Sequence, residues 1–228
     1  MMVLNYIISL ILAPLIAAII IGLVWVKRDK YRYPQMISSF ILGMISIVVV
    51  MLFMYIADQY YLNAFRNLRR EIFYSFVVLG LGSELGKFII LRYHNFNKSS
   101  FNGPLDGIVY SVMISMGFAF IGNVLYFLLP YYTDIDFLYA VTVVFANLFF
   151  AVILGFFVGI AKTRENKFVD SMTGLLAASF FHALYNFCFI TEDLRLLGFL
   201  GIGAFIIVIM LYYKAYEMNQ DNKRLKKD

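Results

Sequence analysis

A carboxylate, an ammonium group and an imidazole occur in segments of the chain that are otherwise apolar. Glu84 and Lys87 lie in one apolar run, and His182 and Asn186 lie in another, far along the chain. At the centre of a bilayer, each charge costs about 2.5–3.5 kcal/mol on insertion scales. Residues three or four apart share one face of a helix, so each pair presents its groups in one direction. An acid and an imidazole together are more than helix packing needs, and they predict a polar site inside a helix bundle.

The composition indicates a membrane protein. The chain has 228 residues, of which 62% are hydrophobic and 14% charged, and its mean hydropathy is +0.81. A soluble domain is nearer half apolar and a quarter charged. The single cysteine, Cys188, excludes an internal disulfide. Basic residues stand at the ends of apolar runs, where topology and lipid explain them, so the pI of about 9.2 does not indicate nucleic-acid binding.

The apolar runs are each about as long as a membrane-spanning helix. Only helices satisfy their own backbone groups in lipid, so we predict an all-α bundle of seven spanning helices in one domain, residues 1–213, followed by a basic tail, 214–228. The predicted spans are 4–26, 36–57, 71–91, 105–129, 137–161, 168–190 and 196–213.

The distribution of lysine and arginine predicts the orientation. Fourteen of these residues fall in the loops after the first, third and fifth predicted spans and in the tail, and four fall on the opposite side. Cytoplasmic loops carry the excess of positive charge, so we expect the N-terminus outside and the C-terminus in the cytoplasm. The exception is a cluster from Arg66 to Arg70, expected along the outer interface. Met1–Tyr6 has no basic residue, which argues against a cleaved signal peptide.

Other polar side chains fall in the predicted fourth and fifth spans. Asn123 and Tyr126 are three residues apart in the fourth, and Asn147 lies ten residues into the fifth. Such groups serve either as hydrogen-bonding contacts between helices, worth about 0.6 kcal/mol each, or as parts of the site. Both interpretations are open for these three residues.

Two motifs resemble the PrsW family of intramembrane metalloproteases. They are Gly103-Pro-Leu-Asp-Gly-Ile-Val-Tyr110 and Gly117-Phe-Ala-Phe-Ile-Gly-Asn-Val-Leu-Tyr126. Further pieces of the family pattern follow its order, namely Ser83-Glu84-Leu-Gly-Lys87, Asn147 to Gly159, and His182-Ala-Leu-Tyr-Asn186. The resemblance covers about residues 75–190.

This resemblance implies an intramembrane protease with zinc and a glutamate that activates water. It assigns the catalytic roles to Glu84, Lys87, Asn123, His182 and Asn186, with His182, Glu84 and Asn147 in the positions of metal ligands. Three residues depart from the family pattern: Ser83 and Gly122 replace glutamates, and Asn147 replaces a histidine. A catalytic zinc usually takes three protein ligands, and asparagine is a poor one.

Three functions are compatible with these residues. In the first, the chain acts on or binds membrane-anchored proteins in a bacterial inner membrane, with its zinc-dependent proteolysis impaired or lost. In the second, it is an active peptidase in which Glu84 activates water and His182, oriented by Asn186, is a ligand or an oxyanion donor. In the third, it is a proton-coupled transporter, a class that usually shows internal repeats, and this chain has none.

Overall fold

All regular structure in the described part of the chain is helical. The computed structural model describes residues 2–26, 32–60, 62, 67–128 and 137–224. Its α-helices are α1 Met2–Val26, α2 Tyr33–Ile45, α3 Ile47–Gln59, α4 Leu68–Phe73, α5 Gly82–Ile90, α6 Pro104–Leu128, α7 Phe137–Ile160, α8 Lys167–Ile190 and α9 Leu194–Arg224. Two π-helical segments, Tyr74–Leu81 and Leu91–Asn95, flank α5.

Within the described ranges, seven segments are long and apolar enough to cross a membrane, which confirms the predicted all-α, seven-span architecture. The second span consists of α2 and α3, and the third runs from α4 through both π-helical segments. The largest difference in bounds is in the last span. There α9 continues to Arg224, well beyond the predicted end at 213. Most of the predicted Arg66–Arg70 cluster is described, but Arg66 itself lies outside the described residues.

Helix α6 is the centre of the bundle, and close backbone contacts hold its neighbours against it. A Cβ added at Gly107 would lie 2.2 Å from the Gly155 carbonyl oxygen, and one added at Gly43 would lie 2.1 Å from the Ile114 oxygen. Only residues without a side chain allow helices to approach this closely. The Gly155–Gly159 pair therefore packs α7 on α6, and Gly43 packs α2 on α6.

The second span changes direction at Ser46, between α2 and α3. The Ser46 hydroxyl donates a hydrogen bond of 2.6 Å to the Gly43 carbonyl one turn earlier, a contact that bends helices. Before the bend, α2 packs along α6. After it, α3 packs mainly against α5 and the first π-helical segment.

A network of polar side chains ties together the start of α6, the start of α2 and the end of the third span. Asp106 pairs with Arg32 and accepts a 2.8 Å hydrogen bond from the Asn102 backbone N–H. The Tyr110 hydroxyl donates to Ser100 Oγ at 2.9 Å. His94 lies here too, with its Nε2 3.0 Å from Ser38 Oγ. The motif residues Asp106 and Tyr110 thus fix helix ends, far along α6 from Asn123.

Candidate active site

Four polar side chains from three helices meet in the interior of the bundle. Glu84 and Lys87 on α5 are fully buried, and Lys87 Nζ lies 2.5 Å from Glu84 Oε1. The same ammonium group donates to Asn147 Oδ1 on α7 at 2.8 Å. His182 Nδ1 on α8 lies 2.7 Å from Glu84 Oε1. One carboxylate oxygen therefore contacts both a cation and an imidazole.

Local packing explains how α5 and α8 come close enough for this contact. Gly80 lies near the end of the π-helical segment before α5, and a Cβ there would lie 2.7 Å from the Ser179 carbonyl oxygen on α8. Ser179 is one turn before His182. The absent side chain at Gly80 lets the two helices approach, and Glu84, four residues after Gly80, then reaches the imidazole ring.

Aromatic rings enclose this cluster. The Phe150 ring stacks on the His182 ring, with centroids 4.7 Å apart and an angle of 21° between the planes. Lys87 Nζ lies 4.9 Å from the centroid of Phe118, within the range of a cation–π interaction. The second carboxylate oxygen of Glu84, Oε2, is buried and has no hydrogen-bond partner among the described residues. An unpaired acceptor at this depth is costly and marks the cluster as more than packing.

A cavity of about 1040 Å³ opens beside the cluster. The buried polar residues in its lining include Ser83, Asn147, His182 and Asn186. The remaining lining is mostly apolar or aromatic and comes from α3, the first π-helical segment, α6, α7, α8 and the start of α9. These residues include Val50, Met51, Met54, Leu79, Phe118, Ala119, Gly122, Leu125, Tyr126 and Phe189. An apolar cavity with a few convergent polar groups is the usual form of a binding site.

The structure places the other predicted site residues differently from their expected roles. Asn123 lines the cavity, but its amide donates to the Ser9 carbonyl at 3.0 Å and the Ala140 carbonyl at 3.1 Å, so it joins α1, α6 and α7. Asn186 donates to the backbone carbonyl of His182 at 3.0 Å. The contact on a nitrogen of the His182 ring comes from Glu84, and the role of Asn186 toward that ring stays a prediction.

Two contributors to the site were not predicted from the sequence. Phe150 and Phe118 are apolar residues in apolar helices, so their types carry no signal of a role. Phe150 lies three residues after Asn147 and so projects from nearly the same face of α7. That spacing is the only sequence feature that could have indicated it.

A family model described as "PrsW family intramembrane metalloprotease" matches residues 32–214. The chain belongs to the PrsW family. Among its relatives, the Protease PrsW of Oceanobacillus iheyensis is 31% identical over 163 residues, which cover 70% of this chain and 73% of that protein. The Protease PrsW of Clostridioides difficile is 32% identical over 161 residues, covering 67% and 66%. That of Bacillus subtilis is 29% identical over 163 residues, covering 71% and 72%. No solved structure matches the chain.

Family membership and the seven spans together make this an integral bacterial membrane protein. The family description makes zinc plausible, but the side chains at the site do not fit a catalytic zinc. Among the described residues, no three His, Cys, Asp or Glu side chains come together as metal ligands. The ammonium group of Lys87 also occupies the side of Glu84 Oε1 that faces Asn147. His94 cannot complete a set of metal ligands with Glu84 and His182. It lies ten residues after Glu84, at the end of the third span, where its Nε2 contacts Ser38.

Proposed function

We propose that this PrsW-family member acts on or holds membrane-anchored proteins in the cavity, and that its zinc-dependent proteolysis is impaired or lost. The observation that carries the proposal is the environment of Asn147, whose side-chain oxygen accepts a 2.8 Å hydrogen bond from Lys87. In the family pattern, position 147 carries a histidine. Here an uncharged amide takes that position, and its oxygen is already bonded to a cation, so the position supplies no good metal ligand.

Two further departures from the family pattern line the same cavity. Ser83 and Gly122, which stand where the family pattern has glutamates, both line it. Among the described residues, a Cβ added at Gly122 would have only Ile47 Cδ1 within 4 Å, at 3.7 Å, so the wall has room for a side chain there. The cavity thus keeps its space while neither of these two positions supplies a carboxylate, although Glu192 also lies in its lining. These features support binding of a protein segment more than hydrolysis by a metal-bound water.

A second function has its own support. The contact between Glu84 Oε1 and His182 Nδ1 leaves Nε2 as the other nitrogen of a ring that lines the cavity. In that arrangement Nε2 would accept a proton from water as the water oxygen attacks a peptide carbonyl. The Glu84 carboxylate would stabilise the imidazolium that forms. This metal-free peptidase is the alternative to a binding protein.

Metal content tests the proposed loss of zinc chemistry. The detergent-purified protein is analysed by elemental mass spectrometry beside His182→Ala, with His94→Ala as the matched control that removes the other histidine. We expect far less than one zinc per chain in all three samples. Near-stoichiometric zinc in wild type and His94→Ala that disappears in His182→Ala would overturn the proposal.

A restoration experiment tests the same point in the opposite direction. The triple change Ser83→Glu, Gly122→Glu and Asn147→His returns the three positions to the family pattern. We expect this variant to bind zinc and to unfold at a higher temperature when zinc is added, because a ligand that binds the folded state stabilises it. The wild type should show no such shift.

Proteolysis is measured directly in bacterial membranes. Cells that produce wild type, Glu84→Gln or His182→Gln at equal levels are compared by mass spectrometry of new protein termini. Under the proposal, the three membranes give the same set of fragments from membrane-anchored proteins. Fragments that depend on both Glu84 and His182 would establish the metal-free peptidase instead.

A further inference from the structure

We propose that Arg92 and Lys162, which meet over the ring of Phe96, form a binding site for the phosphate of an anionic phospholipid. We call these three residues the basic site. It lies where the third span and α7 end, and none of its residues lines the cavity. The inference goes beyond the proposed function and does not depend on what the cavity holds.

One buried aromatic residue holds both cations in place. Arg92 Cζ lies 4.0 Å from the centroid of the Phe96 ring, and Lys162 Nζ lies 5.0 Å from the same centroid. Lys162 Nζ also donates a 2.7 Å hydrogen bond to the Phe96 carbonyl oxygen. Phe96 is 4% exposed and packs on Phe101, with ring centroids 5.5 Å apart. Two like charges from different parts of the chain are therefore kept close together.

The basic site lacks a counter-ion in the protein. Nearby, Arg164 pairs with Asp170 at 3.6 Å. Among the described residues, by contrast, neither Arg92 nor Lys162 has a carboxylate within 4 Å. Burial and the neighbouring charges of Lys167 and Arg92 lower the pKa of Lys162. An anion bound between the two cations would relieve this repulsion.

The hydrogen-bond donors of the basic site match a phosphate. A guanidinium group has five N–H donors in a planar fork that fits phosphate oxygens. Within the described ranges, no protein group accepts a hydrogen bond from Arg92. Lys162 has three donors and uses one on the Phe96 carbonyl. Because the ring already positions the guanidinium, little side-chain freedom is lost when the anion binds.

The surroundings of the basic site favour a lipid over a free phosphate ion. The third span ends at Asn95 and α7 ends at Ile160, so the site lies at the level of the lipid headgroups. Beside it, Tyr93 and Phe168 are each 74% exposed. Aromatic side chains at this level typically contact lipid. A free phosphate ion would leave this apolar rim uncovered.

The charge of the basic site selects the class of lipid. Arg92, Lys162 and Lys167 bring three positive charges. The exposed Glu165 brings one negative charge, so the net charge is +2. A zwitterionic headgroup carries an ammonium group of its own, which these cations repel. The ligand is therefore an anionic glycerophospholipid such as phosphatidylglycerol, as basic pockets between spans prefer.

A phosphate in the basic site would join the spans that carry the buried polar cluster. Arg92 is on the span of Glu84 and Lys87, and Lys162 lies between the helices of Asn147 and His182. One anion that contacts both cations links these spans at the membrane surface. Bound phosphatidylglycerol should therefore raise the unfolding temperature, because a ligand that binds the folded state stabilises it.

Native mass spectrometry tests the lipid preference. The full chain is purified in detergent, stripped of lipid and titrated with dioleoyl phosphatidylglycerol or dioleoyl phosphatidylcholine. We expect the first phosphatidylglycerol to bind about tenfold more tightly than the first phosphatidylcholine. Equal affinity for the two lipids in the wild type would overturn the inference without any variant.

Single variants assign the preference to the basic site. Arg92→Gln and Lys162→Gln should each lose most of it. Lys98→Gln is the matched control, since it removes the same charge from an exposed position in the loop just after Phe96. We expect Lys98→Gln to bind phosphatidylglycerol as the wild type does. An equal loss in Lys98→Gln would show that binding follows the general surface charge, and it would overturn the site.

Inorganic phosphate separates the two sources of the anion. The wild type is heated with phosphatidylglycerol, with sodium phosphate, or with sodium chloride at the same ionic strength. We expect only the lipid to raise the unfolding temperature, and Arg92→Gln to lose this rise. A rise with sodium phosphate that equals the rise with the lipid would overturn the assignment to phospholipid. The proposed function would be unaffected, since none of these measurements involves the cavity.

Discussion

The two halves of α6 meet their neighbours in different ways. In the first half, Gly107 and Gly117 touch the backbone of adjacent helices, and Asp106 and Tyr110 have polar partners. In the second half, Gly122 and Leu125 face open space in the cavity. One helix thus holds the bundle together at its start and forms the wall of a site beyond its middle. The difference separates residues that specify the fold from residues free to serve function.

The largest expected loss of stability comes from a change in the buried pair of Glu84 and Lys87, which lies beside the second half of α6. Lys87→Met leaves the Glu84 carboxylate uncompensated at zero exposure, and breaking such a pair costs about 3–5 kcal/mol. The double variant Glu84→Gln, Lys87→Met removes both charges and should lose much less. Unfolding in an SDS titration measures both. Equal losses for the single and double variants would show that the pair does not act as a unit.

The next effect compares the packing of the two halves directly. Gly107→Val forces a Cβ against the Gly155 carbonyl, where only backbone could move, and should lower the free energy of unfolding by about 3 kcal/mol. Gly122→Val enters open space and should change it by less than about 0.5 kcal/mol. The same SDS titration applies. Similar losses for the two variants would remove the contrast between the halves.

A smaller effect concerns the polar contacts at the start of α6. Asp106→Ala removes the partner of Arg32 and the acceptor for Asn102, which should cost about 1–2 kcal/mol. Asp106→Asn keeps an acceptor oxygen and should cost less. The SDS titration measures both losses. Equal losses for Asp106→Ala and Asp106→Asn would show that the acceptor oxygen does not stabilise the start of α6.

The smallest expected effect tests whether Asn123 has a structural or a functional role. Asn123 lies in the second half of α6 and lines the cavity. Asn123→Ala removes hydrogen bonds to two backbone carbonyls, worth about 1 kcal/mol together at the usual strength inside membranes. We expect this loss of stability in the SDS titration. Full stability of Asn123→Ala would instead return Asn123 to the functional residues.

The sequence predicted the number of spans and the buried depth of Glu84 and His182, because hydropathy and the cost of buried charge are local properties. It also indicated the family, through motifs whose residues have two different roles in the structure. Asp106 and Tyr110 fix helix ends, whereas Gly122 and Asn123 border the cavity. Catalytic roles for the site residues are still predictions.

Other features depended on contacts between distant residues and were not predictable. The bend at Ser46 and the π-helical segments change which face of a helix points inward without changing hydropathy. The partner of the His182 ring could be chosen only once α5 and α8 were in contact. From spacing alone, Asn186 was as suitable as Glu84.

The short spacing between Glu84 and Lys87 also has a consequence for biosynthesis. Asn147 follows Lys87 by 60 residues, and His182 follows Glu84 by 98. At about 5–20 residues per second, the ribosome takes about 5–20 s after Glu84 to complete the imidazole that contacts it. During that interval the third span must enter the membrane without its later partners. A carboxylate and an ammonium one helical turn apart neutralise each other within the nascent span, so this segment can be inserted before the rest of the bundle is made.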